Sequence, residues 1–270
     1  YTKNNYWSNN VIFWSGHSND ERTRRKKSIK FAMKIEFNKS PNFNEVRKRN
    51  IKYIIIHYTG MKTAKEALKR LKSKKYKVSS HYLIYESGKI IQLVNDKDIA
   101  WHAGVSYWQK DTNLNSKSIG IELQNKGSKY GYHSFKKSQI NALIFLLKNL
   151  KVKHKIKIHN ILGHSDIAPL RKSDPGYLFP WHKLAINGLA ILPKKNNSNT
   201  LLKNSEIKLL QLLLRNFGYK ISLSSLLDKE TLQVLYAFES HYCPEELDEF
   251  RVKRKLLGYL RYLISIKRET

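Results

Sequence analysis

The sequence contains little that could crosslink it or hold it in a membrane. Cys243 is the one cysteine among 270 residues, so an intrachain disulfide and a cysteine-rich metal site are both excluded. No stretch approaches the roughly 20 apolar residues that a membrane-spanning helix needs, and we expect no transmembrane segment. A chain of this length buries a core without disulfides, as one large domain or two smaller ones.

Acidic residues are scarce in the middle of the chain. Residues 51–199 carry 27 basic and 8 acidic residues, whereas residues 200–270 carry 12 and 9, and the whole chain has a net charge of +30. A basic surface attracts nucleic acid, anionic lipid or a carboxylate-rich polymer. The codon bias of an AT-rich genome also produces such a charge, because Lys outnumbers Arg 39 to 12. The charge alone therefore selects no partner.

The hydrophobic pattern between residues 51 and 191 is typical of an α/β domain. A β-branched run at residues 51–58 predicts a strand buried on both faces, and strict alternation at residues 118–125 predicts another. Helical spacing predicts one helix after a Thr63 cap and a longer helix for which Ser134 is the candidate cap. The segment 192–200 has the composition of a linker, and three helical patterns follow it, which predicts a small helical bundle.

Two histidines and one aspartate could together bind a metal. His57 ends the predicted buried strand, His164 follows a second apolar segment, and Asp174 precedes Pro175 and Gly176. Two histidines and a carboxylate with an open fourth position form a common catalytic zinc site. Taken singly, His57 and His164 could be hydrogen-bonded structural histidines, and Asp174 could be an ordinary turn residue.

Glu122 and Lys172 are candidate catalytic residues beside that site. Glu122 lies on the polar side of its alternating strand, where a carboxylate can act as a general base toward water. Lys172, two residues before Asp174, can place positive charge where an oxyanion develops. A solvated sheet face and an ordinary surface lysine are the structural alternatives. The residues by themselves indicate a metal hydrolase and do not identify its substrate.

A set of ordered motifs resembles a known family. The stretches are "IIIHYTG", "SSHYLIYESGKIIQLV", "AWHAG", "SIGIELQN" and "GHSDIAPLRKSDPGYLFPW". Together they resemble the zinc-dependent N-acetylmuramoyl-L-alanine amidases of the type 2 family, over roughly residues 40–190. The later stretches "LLQLLLRNFGYKI" and "TLQVLYAFESHYCP" more loosely resemble the helical peptidoglycan-binding domain of AmiD-like members.

The resemblance implies a fold and a domain order. The fold class expected is α/β, with a central mixed β-sheet flanked by helices and followed by a small C-terminal helical bundle. The expected segments are an N-terminal arm at residues 1–39, a zinc amidase catalytic domain at 40–192, and a helical peptidoglycan-binding-like domain at 200–270.

The resemblance also implies the site. His57, His164 and Asp174 match the ligands of one Zn²⁺ per chain, and Glu122 and Lys172 match the catalytic acid/base and the oxyanion-stabilising residue. Three further residues match motif positions near the substrate groove: Tyr58, Trp101 and His102. For Trp101, packing in the core is an equally good explanation.

The implied reaction is hydrolysis of the amide between N-acetylmuramic acid and L-alanine, in peptidoglycan or muropeptides, during cell-wall turnover or recycling. We expect a monomer with no nucleic-acid partner. Two alternatives are a non-catalytic peptidoglycan-binding protein on the same fold and a basic nucleic-acid-binding protein. The expected location is the bacterial envelope, in the periplasm or at the outer membrane. A cytoplasmic location stays open, because residue 1 is Tyr and a preceding signal or lipid anchor is not decided.

Overall fold

The computed structural model describes residues 11–12, 33–248 and 251–269. Most of the N-terminal arm predicted for residues 1–39 therefore lies outside the described residues. Among the described residues, no helix combines the length and the apolar character needed to cross a membrane.

The strands, in chain order, are β1 (Val11–Ile12), β2 (Met33–Phe37), β3 (Phe43–Asn44), β4 (Tyr53–Tyr58), β5 (Tyr82–Ile84), β6 (Ile90–Gln92), β7 (Ile99–Ala100), β8 (Tyr107–Trp108), β9 (Asp111–Thr112), β10 (Ser118–Leu123) and β11 (Ile161–Gly163). The helices are α1 (Ala64–Leu71), α2 (Gly127–Tyr130), α3 (Lys137–His154), α4 (His164–Ile167), α5 (Trp181–Ile186), α6 (Ile207–Phe217), α7 (Lys229–Tyr242) and α8 (Lys255–Glu269).

A mixed seven-stranded sheet forms the centre of the fold. Its strand order is β1-β2-β6-β5-β10-β4-β11. Strand β4 runs parallel to β10 and to β11, and β10 runs parallel to β5, whereas the hairpin of β5 and β6 is antiparallel. The sheet is flanked by helices, and helices also follow it at the C-terminal end. The predicted fold class is confirmed.

The register of the central strands places polar side chains close together at one edge of the sheet. The side chains of Tyr53 to His57 on β4 are all buried, as expected for a β-branched strand in the middle of a parallel sheet. Glu122 of β10 pairs directly with His57 of β4, and Gly163, the last residue of β11, pairs with Ile56. Because neighbouring parallel strands end at the same edge, these ends place His57, Glu122 and His164 together.

Helix α3 covers one face of the sheet. Its stripe of Ile140, Leu143, Leu147 and Leu150 packs in one cluster with apolar residues of β4 and β10. The candidate cap Ser134 was wrong. The helix begins at Lys137 after an extended Lys136, and no side chain caps it.

The opposite face of the sheet packs against α6, α7 and α8. Tyr53, Ile55 and Leu162 of the sheet belong to the same buried cluster as apolar residues of all three helices. Trp108 of β8 contacts the C-terminal helical segment, because its ring lies 4.9 Å from that of Tyr219, edge to face. Gly218 admits this approach, since a Cβ there would lie 2.8 Å from the indole. The helical segment thus buries a face of the sheet that would otherwise be exposed.

Candidate metal centre

Three buried side chains converge at the edge where β4 and β11 end. His57 ends the buried part of β4, His164 begins α4 directly after β11, and Asp174 lies on the following loop. Their candidate ligand atoms all lie within 4.8 Å of one another. His57 Nδ1 lies 2.9 Å from His164 Nδ1, and Asp174 Oδ2 lies 3.2 Å and 3.0 Å from these two nitrogens. The three predicted ligands are therefore brought together.

The hydrogen bonds and charges of this cluster suit a divalent cation. His164 Nε2 lies 3.2 Å from the carbonyl oxygen of Ala103, which can only accept, so this nitrogen carries the proton and Nδ1 turns its lone pair to the cluster. Burial, and then the neighbouring His164, lowers the pKa of His57 to about 4. Burial alone would raise the pKa of Asp174, but the nearby histidines outweigh it and hold that pKa well below its usual range. Neutral imidazoles beside a carboxylate are the donor set that zinc prefers.

Glu122 lies next to the cluster with one carboxylate oxygen unsatisfied. Its Oε2 atom is buried and has no hydrogen-bond partner among the described residues. Burial first, and then the charge of Asp174, raises the pKa of Glu122 to about 8, while Lys172 acts in the opposite direction. A buried carboxyl group with a raised pKa and an open oxygen is suited to exchange a proton with a bound reactant.

Lys172 lies on the loop that leads to Asp174. Its backbone N–H donates to Ala168 O at 3.1 Å, which closes the turn after α4. The preceding Arg171 holds this loop against the 103–105 segment, because its guanidinium donates to the carbonyl oxygens of Ala103 and Val105. The loop is thus held at the lysine backbone and at the residue before it.

One cleft of about 540 Å³ contains every predicted site residue. The Tyr58 hydroxyl lies 3.4 Å from Ser173 Oγ at the cleft wall, and the half-buried Trp101 donates from its indole nitrogen to Asn44 Oδ1 at 2.6 Å. His102 also lines the cleft, but its ring nitrogens are engaged by protein groups, since Nδ1 lies 3.0 Å from His57 Nε2.

Sequence reasoning did not identify several supporting residues. Ser118, Asn115 and Arg171 each contact the histidine-bearing segments, and Asp166 bonds to residues of the C-terminal helical segment. The strand alternation could have found Ser118, because it lies on the same side of β10 as Glu122. The bonds of Asp166 to the distant Tyr219 and His241 had no local signal.

Comparison with known proteins agrees with this geometry. Residues 47–177 match the sequence profile of Amidase_2, the N-acetylmuramoyl-L-alanine amidase family. The chain is 40% identical to the N-acetylmuramoyl-L-alanine amidase AmiD of Escherichia coli over 214 residues, which are 72% of this chain and 75% of that protein. It is 41% identical to the 1,6-anhydro-N-acetylmuramyl-L-alanine amidase AmpD of Haemophilus influenzae over 108 residues, 40% of this chain and 56% of the relative.

Solved structures match a larger share of the chain than these sequence relatives do. The complex of E. coli AmiD with anhydro-N-acetylmuramic acid-L-Ala-D-gamma-Glu-L-Lys superposes with a TM-score of 0.72 at 32% identity, covering 83% of this chain and 98% of that one. AmpDh3 of Pseudomonas aeruginosa gives a TM-score of 0.68 at 28% identity, covering 84% and 97%. By sequence and by fold, this chain belongs to the N-acetylmuramoyl-L-alanine amidase family.

Proposed function

We propose that this chain is a zinc-dependent amidase that hydrolyses the bond between N-acetylmuramic acid and L-alanine in peptidoglycan or muropeptides. The observation that carries the proposal is the convergence of His57, His164 and Asp174 beside the unpartnered carboxylate of Glu122 in one cleft. Family membership supplies the substrate class, because relatives named for this bond share the fold and the sequence.

The three ligands would hold one Zn²⁺ ion through two imidazole nitrogens and one carboxylate oxygen. When bound, the ion supplies Lewis acidity, which polarises the amide carbonyl and lowers the pKa of water toward 7. Glu122 accepts the proton of the attacking water and passes it to the leaving amine of L-alanine. Its raised pKa suits both halves of this transfer, since the group has to hold the proton between the two steps.

Lys172 would stabilise the negative charge that develops on the carbonyl oxygen. Both neighbours of the lysine on the loop are restrained, because Arg171 is bonded to the 103–105 segment and Ser173 lies against Tyr58. A charge that is already in position stabilises a transition state without reorganising. Tyr58 and Trp101 line the same cleft and would contact the substrate around the cleaved bond.

The other features of the chain agree with a cell-wall substrate. Stem peptides carry several carboxylates, which a protein of net charge +30 attracts. We place the protein in the bacterial envelope as a monomer, and we assign residues 200–270 a peptidoglycan-binding role. A non-catalytic binder would not need a complete ligand set next to an open carboxylate, so the geometry favours the enzyme over this alternative.

The decisive experiment measures zinc content and activity on the same sample. Purified protein is analysed for metal and assayed on a muropeptide before chelation, after chelation and after zinc is restored. We expect about one zinc per chain, loss of cleavage on chelation and recovery with zinc, while His164→Ala retains neither metal nor activity. Folded, metal-replete protein that holds no zinc, or that cleaves equally well without it, would contradict the proposal.

A further inference from the structure

A chain of hydrogen bonds runs from the start of β10 to the metal centre. Ser118 Oγ lies 2.6 Å from Leu114 O and 3.2 Å from His102 Nε2. A carbonyl oxygen can only accept, so the single hydroxyl proton of Ser118 is donated to Leu114. Ser118 Oγ can then only accept from the imidazole, and His102 Nε2 therefore carries a proton.

That assignment fixes the next bond in the chain. With its proton on Nε2, a neutral His102 has a lone pair on Nδ1, which lies 3.0 Å from His57 Nε2. His57 Nε2 must therefore donate, which leaves the lone pair of His57 on Nδ1. This is the nitrogen that faces His164 and Asp174.

We propose that His102, held by Ser118, is a positioning residue that fixes the tautomer and the ring orientation of His57 for metal binding. The inference rests on the proposed zinc site and adds to it a residue that contacts His57 but is not itself one of the three proposed ligands. Partners of this kind orient the ring of a metal ligand and raise its basicity. The His102 motif position, which suggested only a place near the substrate, thereby receives a role through His57.

Strand β10 and Asn115 restrain the imidazole ring of His102 and its backbone. A Cβ at Gly120 would lie 2.4 Å from the His102 ring, so glycine on β10 provides the space that the imidazole occupies. On the other side, Asn115 Oδ1 accepts from the backbone N–H groups of His102 and Ala103, at 2.9 Å and 2.7 Å. Neighbouring groups thus restrain the backbone of His102, one face of its ring and its Nε2 atom.

The two histidines of the cluster are oriented by consecutive residues. Ala103 O accepts from His164 Nε2, while the neighbouring His102 Nδ1 accepts from His57 Nε2. One short segment thus supplies both acceptors, and both histidines turn Nδ1 toward Asp174. This correspondence is expected if residues 102–103 serve to orient the ligands.

The test compares zinc affinity in three variants of His102, by competition with a chelator of known affinity. His102→Leu keeps an apolar side chain in the space but removes the acceptor, and His102→Ala removes both. We expect each to weaken zinc binding by about 10–100-fold. His102→Asn can offer an amide oxygen to His57 Nε2, and we expect its affinity to stay within about threefold of the wild type.

Cobalt substitution gives a second readout that packing alone would not change. Absorption bands of Co²⁺ report the ligand set, and we expect His102→Asn to keep the wild-type spectrum while His102→Leu alters it. Wild-type affinity and spectrum in a folded His102→Leu variant would overturn the proposal. Equal weakening in His102→Leu and His102→Asn would also overturn it, because the acceptor would then not matter.

Ser118→Ala keeps the test decisive if the His102 variants do not fold. It leaves the ring in place but frees its tautomer, and we expect about threefold weaker zinc binding. Ser116→Ala, which removes an exposed hydroxyl from the preceding turn, is the matched control and should bind zinc normally. Ser118→Ala with unchanged affinity would overturn the proposal. Failure of the wild type to bind zinc would instead refute the proposed function.

Discussion

Replacing Tyr219 by Phe tests how the C-terminal helices are tied to the candidate metal centre. The Tyr219 hydroxyl donates to Asp166 Oδ1 at 2.6 Å. The other carboxylate oxygen, Asp166 Oδ2, accepts from Gly163 N and lies next to His241 Nδ1, at 2.7 Å in both cases. Asp166 is fully buried and lies two residues after His164. A single carboxylate thus joins the end of β11 to the helical segment.

The expected cost follows from the charge and the burial of the acceptor. A hydrogen bond to a charged group contributes roughly 1.5–3 kcal/mol, and a buried charge left without its partner adds a desolvation cost. We therefore expect Tyr219→Phe to lower the free energy of unfolding by about 2–3 kcal/mol. In a chain of this size about 1 kcal/mol shifts Tm by roughly 2–4 °C, so Tm should fall by about 4–12 °C.

Thermal and denaturant unfolding of the purified variant measure the effect. Tyr242→Phe is the matched control, because Tyr242 is also buried in this helical core but is not among the groups hydrogen-bonded to the Asp166 carboxylate in the described residues. We expect its Tm to change little. Equal Tm values for Tyr219→Phe and the wild type would refute the reasoning that the buried carboxylate depends on this donor.

Three further predictions concern single side chains. Glu122→Gln should keep its zinc and its Tm but lose about 10²–10⁴ in kcat, because the proposed general base is removed; near wild-type turnover would leave the base unassigned. Lys172→Ala should lose about 10²–10³ in kcat, and Lys172→Arg should restore little, since a guanidinium places its charge differently; full rescue by Arg would contradict this. Burial, and then Glu246, raises the pKa of Glu239 from 4.5 to about 8, so its stabilising contribution is complete at low pH and is lost as the pH rises through 8. Glu239→Gln should therefore gain Tm relative to the wild type between pH 5 and pH 9, and a difference that does not change with pH would argue against the shift.

Much of the candidate site could be predicted from the sequence because its residues occupy positions with strong local signals. The β-branched run that ends at His57 formed a buried strand, and the alternation around Glu122 placed this residue on the side opposite Ile119 and Ile121. Parallel strands end at one edge, so two apolar runs that each end in a histidine already indicated a shared site. The ordered motifs added the loop residues Lys172 and Asp174.

Tertiary structure decided the contacts that join distant parts of the chain. The local sequence around Asp166 indicates a turn, yet its carboxylate is also bonded to Tyr219, 53 residues away. The Ser134 cap of α3 failed for a related reason, since Phe135 is buried and Lys136 is extended, so that the helix begins only at Lys137. Periodicity and capping report what a segment favours by itself, whereas burial against a distant partner can override that preference.

The sequence by itself therefore determined the strands, the main helices and the residues available for chemistry at the sheet edge. Only the tertiary structure decided which group each buried polar atom would contact. Its clearest case is His102, whose motif gave a position near the cleft but not the bonds to Ser118 and His57. These bonds depend on the space above Gly120 and on the register between β10 and β4. Both are set by long-range packing, because no local pattern specifies which nitrogen of an imidazole will meet which neighbour.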